Sequence, residues 1–295
     1  MMNVVLAQTL RWQRITVAVA TAGSALVFYK SKGDIYGVPK ATVVALAAVA
    51  CLAIAAGRAI REREVVLPGL WCAAAAGAFV VALGITTITS TTPLQSLVGE
   101  FSQYAGFLGY LGGVILFFTV VRAFDERSLP VLVLTIVGSA AAITVYGLLQ
   151  WADIDPWHLR SAHNIISTMG NTNFLGGWLG MAFPLCAVVA LAPLPVAWRV
   201  VGGATAIGIV PLALATESFQ GPATVAVAAL VLVVLLLVTG AVPVPTALRG
   251  RRGIAVVVVL VVLAAPVAVK VLGDGIDQGL LERRYFWQVA VEVFE

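Results

Sequence analysis

Charge is what this sequence has least of: 11% of its 295 residues are Asp, Glu, Lys or Arg, against about a quarter in an ordinary soluble domain. With 61% of the chain hydrophobic, no soluble core could absorb the apolar surface, which excludes a soluble enzyme or a free binding module. Cation excess is also small. The net charge is +4, and the Lys and Arg residues stand in short clusters between apolar runs, where membrane orientation accounts for them and nucleic-acid binding is not needed. Cysteine is sparse, and Cys51, Cys72 and Cys186 each fall inside an apolar stretch with no C-x-x-C spacing. That excludes a disulfide framework or a thiolate metal site and leaves small buried hydrophobes. Internal repeats, low-complexity linkers and a separate soluble domain are lacking too.

What is present is a series of apolar runs near 15–29, 41–57, 65–88, 105–121, 129–150, 173–192, 200–215, 222–241 and 253–270. Most have the length needed to cross the ~30 Å hydrocarbon layer as helices. Lipid offers the backbone no hydrogen-bond partners, and the Ala, Leu and Val content lacks the alternation of a barrel strand. The expected fold is therefore all-α: one polytopic transmembrane helix bundle over 1–295 with about nine spans. A cytoplasmic N-terminus places Arg11, Arg14, Arg58, Arg61, Arg63, Arg122, Arg127, Arg199, Arg249, Arg251 and Arg252 inside, eleven of the eighteen cations, in keeping with the positive-inside rule. Three polar stretches then face outward: 89–104, 151–172 and the chain after about 271. Glycines four apart, Gly109 with Gly113 and Gly176 with Gly180, are expected at close helix contacts.

Three segments, in this order, carry a resemblance. They are TTPLQSLVGEFSQYAGFLGYL (91–111), RSAHNIISTMGNTNFLGGWLGMAFPL (160–185) and ATESFQGPATVAVAALVLVVLLL (215–237). The second contains Gly170, Asn171 and Asn173 as G-N-x-N, opening a helix after an arginine-bearing loop. In the third, Phe219 and Gln220 stand near a place where an S-R-G turn is usual. Arg283 and Trp287 add an R-x-x-x-W pattern. Together these segments resemble the O-antigen ligase and O-antigen polymerase family of bacterial membrane glycan transferases. In that family a P-x-x-G-x-G stretch and a His-Asn pair follow. Neither occurs before Glu295, and residues 281–295 are still in mid-pattern of an amphipathic helix, so 271–295 is expected to be the start of a large outer loop whose remainder is missing.

The resemblance implies an inverting, metal-independent transfer of a glycan from a polyprenyl-diphosphate carrier to an acceptor hydroxyl, with no cofactor, on the outer face of the bacterial cytoplasmic membrane. The acceptor is a saccharide, a lipid-anchored glycan or a protein. Ligase, polymerase and protein O-oligosaccharyltransferase remain alternatives within the family, and a transporter or flippase for lipid-linked saccharide is the rival class.

The candidate residues have competing readings. Arg160 is either a two-point ligand for the diphosphate or a cation snorkelling to the headgroups. Arg283 and Arg284 point in different directions on a helix, the spacing to Trp287 selecting Arg283, and surface pairing with Glu282 or Asp277 is the alternative. His163 is a candidate general base, although the resemblance places that base after Glu295; a solvated loop histidine is the other reading, as for His158. Asn171 is expected to cap the following helix, and Asn173 is a candidate substrate contact at its N-terminus. Asp153 and Asp155 form a D-x-D, which is either a metal-diphosphate motif or, with Pro156, a turn.

Overall fold

The computed structural model describes residues 4–30, 34–63, 69–100, 104–159, 164–216 and 218–240. Their regular elements are nine α-helices: α1 (Val4–Leu26), α2 (Gly37–Glu62), α3 (Leu70–Ile88), α4 (Pro93–Val98), α5 (Phe107–Ala123), α6 (Leu129–Trp151), α7 (Thr172–Leu191), α8 (Val196–Ala215) and α9 (Gln220–Thr239). Six of them, α2, α3 and α6 to α9, are long and apolar enough to cross a membrane. Three of the nine expected spans are not among these six. Helix α1 carries Arg11 and Arg14 within its length, α5 has only 17 residues, and 253–270 lies outside the described residues. The six-residue α4 sits in the 89–104 stretch, started by Pro93 at its first position, where proline's missing N–H costs nothing.

Helix α3 states most directly what solvent the chain is built for. It has 19 residues, none of them buried, and Leu70, Trp71 and Ile88 are about four-fifths exposed. Such a surface in water would be an association site. In hydrocarbon it is ordinary, and the chain is a multi-pass membrane protein.

The chain divides into two compact units, residues 1–143 with 168–170, and residues 144–167 with 171–295. In the first, α1, α2 and α5 pack on one another. Gly23 brings α1 against Val43 of α2, and Gly112 brings α5 against Ala48 and Val44. The buried set there is small, with Val17, Ala20, Ala47, Ala48 and Cys51 prominent, as befits packing driven by close approach instead of the hydrophobic effect. The Arg14 guanidinium donates from Nε to the Ala123 carbonyl at the end of α5 and faces the Asp125 carboxylate at 3.5 Å. Asp125 and Ser128 close the turn into α6 reciprocally: the Asp125 N–H donates to Ser128 Oγ at 2.9 Å, and the Ser128 N–H donates to Asp125 Oδ1 at 2.9 Å. The Ser128 hydroxyl also donates to Asp125 Oδ1; that bond, then the Ser128 N–H, then Arg14, hold the Asp125 carboxyl below the usual carboxylate range.

In the second unit α7 lies between α8 and α9. A Cβ on Gly176 would come within 2.7 Å of the Gly221 backbone nitrogen, and one on Gly180 within 2.4 Å of Thr224 Cβ. The Thr224 hydroxyl donates across the interface to the Gly176 carbonyl at 2.9 Å. The expected contact at Gly176 and Gly180 is thus between α7 and α9. The other expected pair behaves differently. Gly109 is crowded only by the Tyr104 carbonyl of the preceding turn, Gly113 meets nothing within 4 Å, and the glycine of α5 that meets another helix is Gly112.

Candidate functional site

The chain leaving α6 must cover a helix end and then start α7, and the local sequence supplies the means. Gln150, fully buried at the end of α6, accepts the N–H groups of Ser167 at 2.8 Å and Ile166 at 3.2 Å on its Oε1. A lone amide at the end of an apolar helix thereby satisfies two buried donors of the returning loop, as buried polar groups require. Earlier in that loop, Asp155 accepts the hydroxyl of Tyr146 from α6, whose ring stacks edge-on to Trp157 with ring centroids 4.8 Å apart. The Asp155 carboxylate of the D-x-D is thereby held by a phenol at the Asp-Pro turn, and Asp153 adopts a left-handed conformation at φ +65°.

Within the first unit, the residues just before G-N-T-N are fixed to the ends of α1 and α2. The Thr168 hydroxyl donates to the Ala25 carbonyl at 2.8 Å. Half-buried Lys40 donates from Nζ to Ser24 O at 2.8 Å and Ala25 O at 3.2 Å, with Met169 Sδ at 3.8 Å. Cation and hydroxyl together cap the last carbonyls of α1, where the helix dipole favours positive charge. Gly170 takes φ +79°, and a Cβ there would lie 2.5 Å from Tyr36 Cδ2. Glycine is required on both counts.

Within the second unit, Asn171 is the N-cap of α7, accepting the Asn173 N–H on its side-chain oxygen at 2.8 Å. Exposed Asn173 turns its own Oδ1 toward the neighbouring helix start and accepts the Ser218 hydroxyl at 2.6 Å. Ser218 Oγ in turn lies 3.3 Å from the Gln220 N–H at the first turn of α9. The starts of α7 and α9 are therefore side by side, joined by Asn173 and Ser218 and brought close by Gly176 and Gly221. Two helix N-termini presenting partial positive charge, and an Asn173 side chain whose NH₂ is its donor end, make a place suited to phosphate oxygens or sugar hydroxyls.

Of the residues expected to act, Asn173 is in this cluster. Arg160, His163, Arg283 and Arg284 lie outside the described residues. Ser218 and Gln150 were not among the expected residues. Gln150 had a signal in its isolation at the end of an apolar run, and Ser218 had none in spacing, only its place in the S-F-Q-G segment. Compared with family models, curated proteins and solved structures, the chain matches none.

Proposed function

We propose that this protein is a membrane glycosyltransferase of the O-antigen ligase type, acting on the outer face of the bacterial cytoplasmic membrane. It moves a glycan from a polyprenyl-diphosphate carrier to an acceptor hydroxyl. The observation that supports the reading best is the Ser218–Asn173 hydrogen bond. It joins G-N-T-N to S-F-Q-G, two segments singled out by resemblance alone and separated by more than forty residues.

In this reading the acceptor hydroxyl attacks the anomeric carbon, the bond to the carrier phosphate breaks, and negative charge builds on the leaving diphosphate. The N-termini of α7 and α9 face that charge, and Asn173 donates to a phosphate or sugar oxygen. Arg160 and Arg283 supply the planar two-point contacts that a compact ammonium cannot reproduce. Each preorganised donor contributes on the order of 3 kcal/mol to the transition state. His163 is the nearest candidate in sequence for a proton acceptor.

The test is transfer itself, in proteoliposomes holding the full-length protein, a polyprenyl-diphosphate glycan and an acceptor. Glycosylated acceptor and free polyprenyl diphosphate should form in equal amounts, with chelator present. Arg160→Lys and Asn173→Ala should each lower the rate at least tenfold, about 1.4 kcal/mol of barrier, without loss of expression. Movement of the donor across the bilayer with no product would replace the enzyme by a transporter. Activity lost to chelator and restored by Mg²⁺ would replace the arginines by a metal.

A further inference from the structure

Within the first unit, the segment 168–170 is seated where α1 ends and α2 begins. The Asp34 carboxylate accepts the N–H groups of Tyr36 at 2.9 Å, Gly37 at 2.7 Å and Val38 at 3.2 Å, which closes the start of α2. From the first turn of α2, Lys40 reaches back to the last turn of α1, where carbonyls have no partner inside the helix. An ammonium has three hydrogens to donate. Two go to the Ser24 and Ala25 carbonyls at 2.8 and 3.2 Å, and the third is left for Met169 Sδ at 3.8 Å. A thioether is a weak acceptor, so the third donor is poorly used. Met169 is fixed on both sides, by the Thr168 hydroxyl on the Ala25 carbonyl and by Gly170 against the Tyr36 ring. It is partly exposed, and the level of these helix ends is a polar surface of the bilayer.

We propose that Met169 is a reversible oxidation site whose sulfoxide is captured by Lys40, fastening 168–170 more firmly to α1 and α2. The proposal does not depend on the transferase reading. The oxidant is a peroxide. A lone pair of Sδ attacks one oxygen of hydrogen peroxide: an S–O bond forms, the O–O bond breaks, and sulfur gives up two electrons to the peroxide. The departing hydroxide takes the proton carried by the transferred oxygen and leaves as water, so thioether and peroxide become sulfoxide and water. An oxygen bonded to Sδ and bent toward the ammonium falls about 2.7–2.9 Å from Nζ, the span of a charge-assisted hydrogen bond, without displacing either side chain. Methionine oxidation ordinarily loosens a structure, because a polar oxygen lands among apolar neighbours. Here it lands beside a cation with a poorly used donor, and the sign reverses. Met181 gives the contrast. It is more exposed, at 66%, but stands mid-way along α7 on the wall of an apolar groove, where a sulfoxide would face hydrocarbon.

The test uses the full chain in lipid nanodiscs, carrying Met181→Leu so that Met169 is the methionine followed. Hydrogen peroxide should add one oxygen at Met169, read by peptide mass spectrometry. Amide exchange of the peptide covering 168–170 should then slow severalfold and the melting temperature should rise, and sulfoxide reductases for both epimers should reverse all three changes. In Lys40→Leu the same oxidation should speed exchange and lower the melting temperature. It should also lower it in Met169→Leu, where Met181 is the residue oxidised. Met169 left unoxidised, or exchange made faster by oxidation with Lys40 in place, would overturn the proposal. If Lys40→Leu does not insert, the protein with Lys40 decides alone, oxidised against reduced: slower exchange at 168–170 supports the capture, and unchanged exchange overturns it.

Discussion

Replacing Gly170 by Ala should be among the costlier single-methyl changes in this protein, for two reasons that can be measured apart. Its φ of +79° is left-handed backbone, which costs an L-residue about 1 kcal/mol. The added Cβ would also stand 2.5 and 2.6 Å from Tyr36 Cδ2 and Cγ, where ordinary contact is near 3.5–4 Å. Ring or turn must shift by about 1 Å, an overpacking cost of about 1–3 kcal/mol. The total is about 2–4 kcal/mol. In a Tyr36→Ala background the ring is gone and only the backbone part, about 1 kcal/mol, should remain. A double-mutant cycle over the four proteins, from equilibrium unfolding in mixed detergent followed by tryptophan fluorescence, should therefore return a coupling of about 1–3 kcal/mol. A coupling below about 0.5 kcal/mol, the scatter of additive sites, would refute the placement of Gly170 on the Tyr36 ring.

Gly176→Ala should destabilise by about 1–3 kcal/mol, because its methyl meets the Gly221 backbone and parts the Thr224 hydroxyl from the Gly176 carbonyl. Gly113→Ala, with open space around it, should be neutral or stabilise by up to about 1 kcal/mol through helix propensity; equal losses in the two would be inconsistent with the packing described. The depressed carboxyl of Asp125 contributes stability that is fully present above the ordinary carboxylate value near 4 and is lost as pH falls through the lower folded value. The turn between α5 and α6 should therefore weaken only below about pH 4. A ¹³C NMR titration of Asp125 should show the low value in the native protein and a rise toward 4 in Ser128→Ala, and an unchanged titration would remove the Ser128 hydroxyl as its main cause.

The long apolar helices were legible in the sequence because lipid demands one simple pattern of them. Helix α6 was expected at 129–150 and is Leu129–Trp151, and α7 was expected at 173–192 and is Thr172–Leu191. Helix α1 begins at Val4 and not near 15, because a helix does not stop where its apolar run stops; Arg11 and Arg14 continue it into polar surroundings. Glycine spacing located the face of Gly176 and Gly180 but could not say which face of α5 meets a neighbour, and there Gly112 replaced Gly109 and Gly113. Asn171 was readable as a cap since capping is local. The bond from Ser218 to Asn173 was not, since it depends on the packing of α7 against α9 and leaves no trace in spacing. Lys40, which no sequence pattern singles out, caps α1 through the same kind of contact between helices.

The way α1 is held has a consequence for how the protein is made. From Ile15 to Leu26 its uncharged stretch is about 18 Å long, well short of the ~30 Å layer. A cation secures it at each limit: Arg14 to Ala123 and Asp125, Lys40 to Ser24 and Ala25. Every one of those partners outside α1 is synthesised later, those of Arg14 about a hundred residues later. During synthesis, therefore, α1 emerges before the groups that hold it, although its uncharged stretch is too short to cross the layer alone. Its final depth is set only after α2 and α5 have left the translocation channel, so early truncations should leave it loosely inserted and its N-terminal segment open to protease.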